Sequence, residues 1–245
     1  AHALVCAGQR VLLIERGRWP HRDAADWNQR NILIDQRYRG PTPVQIKQYG
    51  ARRFSEVYPN ETVGGKSVFY GGASLRLRET DFDLWPFSYA ELAPYYERAE
   101  VLLGVHGTAG IDPYEPPGLQ AYPFPSADLS SPARRLQDAA DSLGYQPFPI
   151  PLAINFSDER RTRCVLCNTC DGFPCRIEAK NDLATTVVQD AQQRGLHVAT
   201  GALAQRLIVE AGHARYVQYV DTESKQEHNV TGERIFVAAG AIQSP

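Results

Sequence analysis

Methionine is absent from the 245 residues, and the first residue is Ala1. A complete, unprocessed chain begins with Met, so the start is expected to be a truncation. No apolar run approaches the ~20 residues that a membrane-spanning helix needs, and no secretory leader is visible. An excess of charge of one sign is also lacking. The 26 basic and 28 acidic residues are scattered and nearly cancel, which argues against a nucleic-acid surface. Cysteine is scarce. There are five, and four of them lie between 164 and 175, which is not a secreted disulfide framework. The compartment is not fixed by this, with the cytoplasm favoured. The dinucleotide fingerprint G-x-G-x-x-G is missing as well.

What is present at the start reads as the second half of a dinucleotide-binding βαβ unit. Ala1 to Ala7 is small and apolar, suited to a helix packed on a sheet, and Gly8 can end it. Val11 to Ile14 is a continuous apolar run, as a buried parallel strand requires. It closes in Glu15. In such units an acid at this point hydrogen-bonds the ribose hydroxyls, and the phosphate loop lies about 20 residues before it. Counting back from Glu15 places that loop before Ala1. An ordinary buried strand ending in Glu also satisfies the stretch.

Residues 18–62 are polar and irregular, a length of loop that is usually functional or covering. Ser88 and Glu91 form a capping box that opens a helix to about Leu103, with Gly104 as its stop. Leu92, Tyr95, Tyr96, Ala99, Leu102 and Leu103 make its apolar stripe. Residues 107–126, rich in Pro and Gly, read as loop. Ser131 and Pro132 open a second helix whose face is Leu136, Ala139, Ala140 and Leu143, ended by Gly144. Asn181 or Asp182 starts a third, stopped at Gly195. A strand at 196–201 follows, then a hairpin turning near Ala211-Gly212-His213, then a buried strand from Arg234 to Ala239 that closes in Gly240. This order predicts an α/β fold, a Rossmann-like mixed sheet with an inserted antiparallel β-meander and helices packed around it. Residues 77–180 read as a loop-rich and helical insertion leading into the cysteine-rich loop at 164–175.

"TVGGKSVFYGGASLR", residues 62–76, holds two glycine pairs, Gly64-Gly65 and Gly71-Gly72, around Val68-Phe69-Tyr70, which would otherwise read as a strand. Glycine weakens strands, so either tight protein packing or a ligand pressed on bare backbone requires it.

"VGGKSVFYGGASLRLRETDF", "WPFSYAELAPYYERAEVLLGV", "AKNDLATTVVQDAQQRG" and "FVAAGAIQSP" together resemble the FAD-binding half of the glucose–methanol–choline (GMC) oxidoreductase family. The likeness runs from Ala1 to Pro245 in family order. It implies that residues 1–245 are the FAD-binding portion, cut before residue 1 and after 245. Glu15 matches the acid that binds the adenosine ribose, and Arg16 beside it is grouped with the cofactor-binding residues. Gly64, Gly65 and Ser67 match the loop that passes the pyrophosphate. Tyr70, Gly71 and Gly72 match positions along the isoalloxazine ring. Ala204 matches a backbone contact to adenine, and Gly240 a second close backbone approach. Without a Cβ, backbone N–H groups come nearer an anionic ligand and stabilise charge on a reduced ring.

The resemblance implies an FAD-dependent oxidoreductase, dehydrogenase or oxidase, that oxidises a CH–OH group of an alcohol, sugar or sterol by hydride transfer to flavin. Its partners would be an alcohol-type small molecule and an electron acceptor: oxygen, a quinone or a protein. A phosphate loop before Ala1 and a substrate domain after Pro245, carrying the catalytic histidine, are expected outside this stretch. No catalytic residue is therefore assigned, and the fragment alone is expected to be inactive. His106, His197, His213 and His228 read as surface or structural.

Cys164, Cys167, Cys170 and Cys175 are spaced C-x2-C-x2-C-x4-C. The ferredoxin run has a final gap of three with proline after the last cysteine, whereas here Pro174 precedes Cys175. Structural thiols or a disulfide, an iron–sulfur cluster and zinc all stay open. Two rivals to the oxidoreductase follow: an iron–sulfur or metal-binding electron-transfer protein built on 164–175, and a non-catalytic domain that keeps the fold.

Overall fold

A computed structural model describes residues 1–47, 50, 52–116, 120–167, 169–240 and 243–244. The chain forms two compact units. The first comprises Ala1–His21, Gln29–Lys66 and Val188–Pro245, and the second Arg22–Asn28 and Ser67–Val187.

In the first unit, β1 (Leu12–Glu15) pairs in parallel with β4 (His197–Thr200), Leu12 opposite His197 and Glu15 opposite Thr200. Helices α1 (His2–Cys6) and α4 (Gln189–Gln193) belong to the same core. Val5, Ala191 and Leu196 are buried there, with Val11, Leu13, Val188 and Val198 packed against them. The small apolar start and the Val11–Ile14 run thus share one hydrophobic cluster beside the parallel pair, but β1 is not the fully buried strand expected, since Leu12 is 41% exposed and its other residues are half-buried. An antiparallel meander follows, made of β5 (Ala202–Glu210), β6 (His213–Asp221) and β7 (Glu227–Thr231). The β5–β6 turn is Ala211-Gly212 with φ of 49° and 78°, both left-handed, as a two-residue hairpin needs. The segment expected to be wholly loop contains a short hairpin, β2 (Val44–Ile46) with β3 (Ser55–Val57).

The expected buried strand from Arg234 to Ala239 does not form. It takes no ladder hydrogen bonds, and Phe236 and Val237 are 68% and 57% exposed. An apolar run becomes a strand only where a neighbour accepts its backbone groups, and among the described residues none does. Residues 241–242 and 245, the end of the quoted glycine block, lie outside the described residues.

The second unit contains no named strand among its described residues. Its helix α2 (Tyr89–Leu103) starts at the Ser88–Glu91 capping box and stops at Gly104 with φ of 57°, as the sequence predicts. Its buried positions are Tyr89 and Glu100, while Tyr95 on the expected apolar stripe is 65% exposed. The reason is a buried ion pair. Arg76 reaches both oxygens of Glu100, at 2.6 and 2.7 Å, and the Tyr89 hydroxyl at 3.0 Å. Burial of that charge is possible because the guanidinium fork satisfies it. Helix α3 (Ser131–Ser142) is capped by Ser130 rather than Ser131, and its Leu136 is exposed. Val68-Phe69-Tyr70 is no strand; Gly65–Val68 is a 3-10 turn that buries Val68 and leads into Phe69. The third predicted helix is split, with Ala184–Val188 wound as a π-helix before α4. Among the described residues no helix is long and apolar enough to cross a membrane.

Candidate functional site

In the first unit, Glu15 sits at the carboxyl end of β1, the edge where parallel α/β sheets bind ligands. Its Oε1 accepts the Gly17 N–H at 2.7 Å, and the Arg16 N–H also bonds the carboxylate; of its four lone-pair sites some remain for a further donor. Burial raises the Glu15 carboxyl above the usual range, the Gly17 N–H pulls it back, and the Glu61 charge raises it further. Arg16 forms an ion pair with Glu61 at 2.9 Å. The chain from Glu61 to Val63 then runs against the end of β1. The Arg18 carbonyl accepts the Thr62 hydroxyl at 2.8 Å and the Val63 N–H at 3.0 Å. A Cβ at Gly17 would lie 2.2 Å from the backbone of Glu61 and Thr62, so glycine there permits the approach. The same segment delivers Gly64 and Gly65, with φ of 88° and 54°. Among the described residues, no atom lies within 4 Å of a Cβ built on Gly65. The structure thus brings Glu15, Arg16 and the first glycine pair to one end of β1. Ala204 lies on β5 opposite Tyr219, beside a register shift. Gly240 has φ of 86° and, among the described residues, no atom within 4 Å of a Cβ built on it; its carbonyl accepts the Ser244 N–H at 3.0 Å.

In the second unit, Ser67, Tyr70, Gly71 and Gly72 follow one another along the chain. The Ser67 hydroxyl accepts the Leu183 N–H at 3.0 Å. Tyr70 donates its hydroxyl to the Asn181 carbonyl at 3.2 Å, and its own carbonyl accepts Lys180 Nζ at 2.7 Å. Burial, with the Asp182 charge, pushes the phenol up to about 12, so it stays protonated at neutral pH. Gly72 has φ of 85°, and a Cβ would fall 2.8 Å from Ile154; protein packing alone requires this glycine. Gly71 differs. Its nearest neighbour for a Cβ is Asp171 at an ordinary 3.5 Å, so among the described residues nothing demands glycine there.

A sequence model of the GMC oxidoreductase family matches residues 50–245. The chain belongs to the GMC oxidoreductase family. Among curated relatives, this GMC chain is 36% identical over 202 residues to the 6'''-hydroxyparomomycin C oxidase of Streptomyces lividus, covering 76% of the chain and 37% of the relative. It is 27% identical over 266 residues to the 2-methyl-1,2-propanediol dehydrogenase of Mycolicibacterium austroafricanum, covering 99% and 46%. The chain thus spans less than half the length of either relative. Solved structures share the fold. The FAD-dependent oxidoreductase of Chaetomium thermophilum matches with a TM-score of 0.58 at 17% identity, over 92% of this chain and 40% of that one. Pyridoxine 4-oxidase of Mesorbium loti matches with 0.56 at 22%, over 94% and 44%. The Rossmann-like α/β class is therefore the fold of this chain.

The family implies FAD, and the residues of this GMC chain fit it. A carboxylate with unused lone pairs closes a parallel strand, Gly65 follows in the same unit with a left-handed φ and open space, and among the described residues no atom forces glycine at Gly71. Cys164, Cys167, Cys170 and Cys175 are free thiols, and among the described residues no three His, Cys, Asp or Glu side chains gather to hold a metal ion. Burial pushes the Cys170 thiol up to about 11. Residue 168, within this loop, lies outside the described residues. Of the histidines, His106 is buried and structural. Its Nδ1 faces the Gly104 carbonyl at 3.2 Å, its Nε2 the Ser157 hydroxyl at 3.0 Å, and its ring stacks on Phe124.

Sequence reasoning missed Lys180. It is 1% exposed and donates to the carbonyls of Tyr70, Cys170 and Phe173. Burial pushes its ammonium down to about 8, partly offset by the Asp182 charge. Its partners lie up to 110 residues away, so no local pattern marks it. The missed Arg22 is similar. Its guanidinium bonds the Cys175 carbonyl, the buried Asp182 carboxylate and the Thr185 hydroxyl.

Proposed function

We propose that this chain is the FAD-binding portion of an oxidoreductase that oxidises a CH–OH group of an alcohol, sugar or sterol. The observation that carries the reading is the Glu15 carboxylate closing a parallel strand, with the chain that leads into Gly64-Gly65 bonded beside it. When bound, FAD supplies the hydride acceptor for the alcohol carbon. In the first unit, Glu15 accepts hydrogen bonds from the ribose hydroxyls with Arg16 beside it, Gly64 and Gly65 let backbone pass the pyrophosphate, and Ala204 and Gly240 offer backbone contacts. In the second unit, Ser67 is grouped with the pyrophosphate loop, while Tyr70, Gly71 and Gly72 lie along the ring. Tyr70, its hydroxyl bonded to the Asn181 carbonyl, orients this segment.

Residues 77–180 are the insertion leading into the cysteine-rich loop, and the substrate domain with the catalytic histidine lies outside residues 1–245. That the chain spans 37% and 46% of two oxidising relatives supports this division. The electron acceptor is oxygen, a quinone or a protein. Free thiols, with Cys6 exposed, suit a reducing cytoplasm.

The test is expression of the full reading frame that contains residues 1–245, followed by its visible spectrum and dye reduction with a panel of small alcohols and sugars. A flavin spectrum with alcohol-dependent reduction is expected, and residues 1–245 alone are expected to show no turnover. A purified full-length protein that neither carries nor takes up FAD would overturn the reading.

A further inference from the structure

We propose that Lys180 is a positioning residue, one that clamps the Tyr70–Gly72 backbone onto the 170–173 stretch of the cysteine-rich loop and so sets the segment assigned to the flavin ring. The inference rests on the functional reading above for the identity of that ring. The clamp itself rests on geometry within the second unit.

Lys180 Nζ has three N–H donors, and three carbonyls take them: Tyr70 at 2.7 Å, Cys170 at 2.9 Å and Phe173 at 2.7 Å. No carboxylate is among these partners. A buried ammonium is costly unless every donor is satisfied, so a side chain that merely filled this space would be apolar. Here the charge gathers the carbonyls of two segments roughly a hundred residues apart in sequence. Unpaired, those three dipoles would face one another in the core.

Further contacts make the joint continuous. The Gly172 N–H bonds the Phe69 carbonyl at 2.6 Å. A Cβ at Gly71 would meet Asp171 at 3.5 Å. The Tyr70 ring lies 5.8 Å from Nζ, and its hydroxyl bonds the carbonyl of Asn181, the residue after the lysine. The Gly72 carbonyl accepts the Ala153 N–H at 2.7 Å, and the Ala153 carbonyl accepts the Asn181 N–H at 2.9 Å. Tyr70 is therefore held by its carbonyl and by its hydroxyl from two consecutive residues, and the 170–173 stretch forms the wall behind it. That gives the cysteine-rich loop a role that needs no metal.

The full-length holoenzyme decides this with Lys180→Met, Lys180→Gln and, as a control, Ser88→Ala, which removes the α2 cap in the same unit. Hydrogen exchange is read on peptides covering 69–72 and 170–173, and the visible circular dichroism of the bound flavin is read in parallel. In Lys180→Met both peptides are expected to exchange at least about tenfold faster together, the signature of one local opening, with a weakened flavin signal. Lys180→Gln, which keeps two donors, falls between and serves if Lys180→Met does not fold. Ser88→Ala leaves both readouts unchanged. Folded Lys180 variants whose two peptides exchange as in the wild type overturn the clamp. Faster exchange with an unaltered flavin signal overturns the positioning role. A wild type that carries no flavin overturns the functional reading instead, while the exchange data still decide the clamp.

Discussion

At the end of β1 in the first unit, charge is met by charge: Arg16 pairs with Glu61, and Glu15 sits near both with a backbone N–H on one oxygen. Around Lys180 in the second unit, charge is met by carbonyl dipoles from distant segments. The first arrangement leaves acceptor capacity at a strand end, where a ligand hydroxyl can use it. The second leaves none, and its work is to hold backbone in place. A binding group keeps unused hydrogen-bonding capacity, while a scaffold group has used all of it.

Arg76 is a further buried cation of the second unit. Arg76→Met strands Glu100, whose side chain is 7% exposed, and is expected to cost about 3–5 kcal/mol. A urea melt of the variant measures it. The double replacement Arg76→Met with Glu100→Leu should recover most of the loss. A single variant as stable as the wild type would show that the pair is not part of the scaffold.

The glycines sharpen the contrast at smaller magnitude. Gly72→Ala meets both a left-handed φ and Ile154 at 2.8 Å, and is expected to cost about 2 kcal/mol in stability. Gly65→Ala meets the φ alone, with open space around it, and should cost about 1 kcal/mol. Thermal melts give both values. If Gly65 passes the pyrophosphate, its variant also weakens flavin binding by more than its stability loss explains, which a flavin titration reads.

The smallest effect concerns pH. Glu15 has its folded pKa raised by burial above 4.5. Its contribution to stability is therefore full below the unfolded pKa and is lost as pH rises through the folded one. Glu15→Gln should remove that loss, so the apoprotein becomes slightly more stable at neutral pH while flavin binding weakens. Melts from pH 4 to 7 check the sign; a wild-type apoprotein that gains stability across that range relative to Glu15→Gln would contradict it.

Much of the first unit was legible because its elements are local. The apolar run to Ile14, the carboxylate that ends it and the Ala211-Gly212 turn each carry their signal within a few residues. The α2 capping box is legible for the same reason. The strand expected at 234–239 failed because a strand also needs a partner, which its own residues do not encode. In the second unit, the burial of Glu100 depends on Arg76, 24 residues away, and the environment of Lys180 on carbonyls 7 to 110 residues away. Apolar periodicity says nothing of such polar joints, so the α2 stripe was misplaced and Lys180 overlooked. Of the candidate site, residue types were readable at Glu15 and the glycines. Which glycine serves packing and which leaves open space was not, because that depends on atoms such as those of Ile154.

The most direct measurement is the flavin content of the purified full-length protein after gel filtration, for the wild type and for Glu15→Ala combined with Gly65→Val. The wild type should retain flavin in equimolar amount, and the double variant should fold yet emerge colourless. A colourless wild type, or a folded variant that retains its flavin unchanged, would contradict the assignment of these residues to FAD.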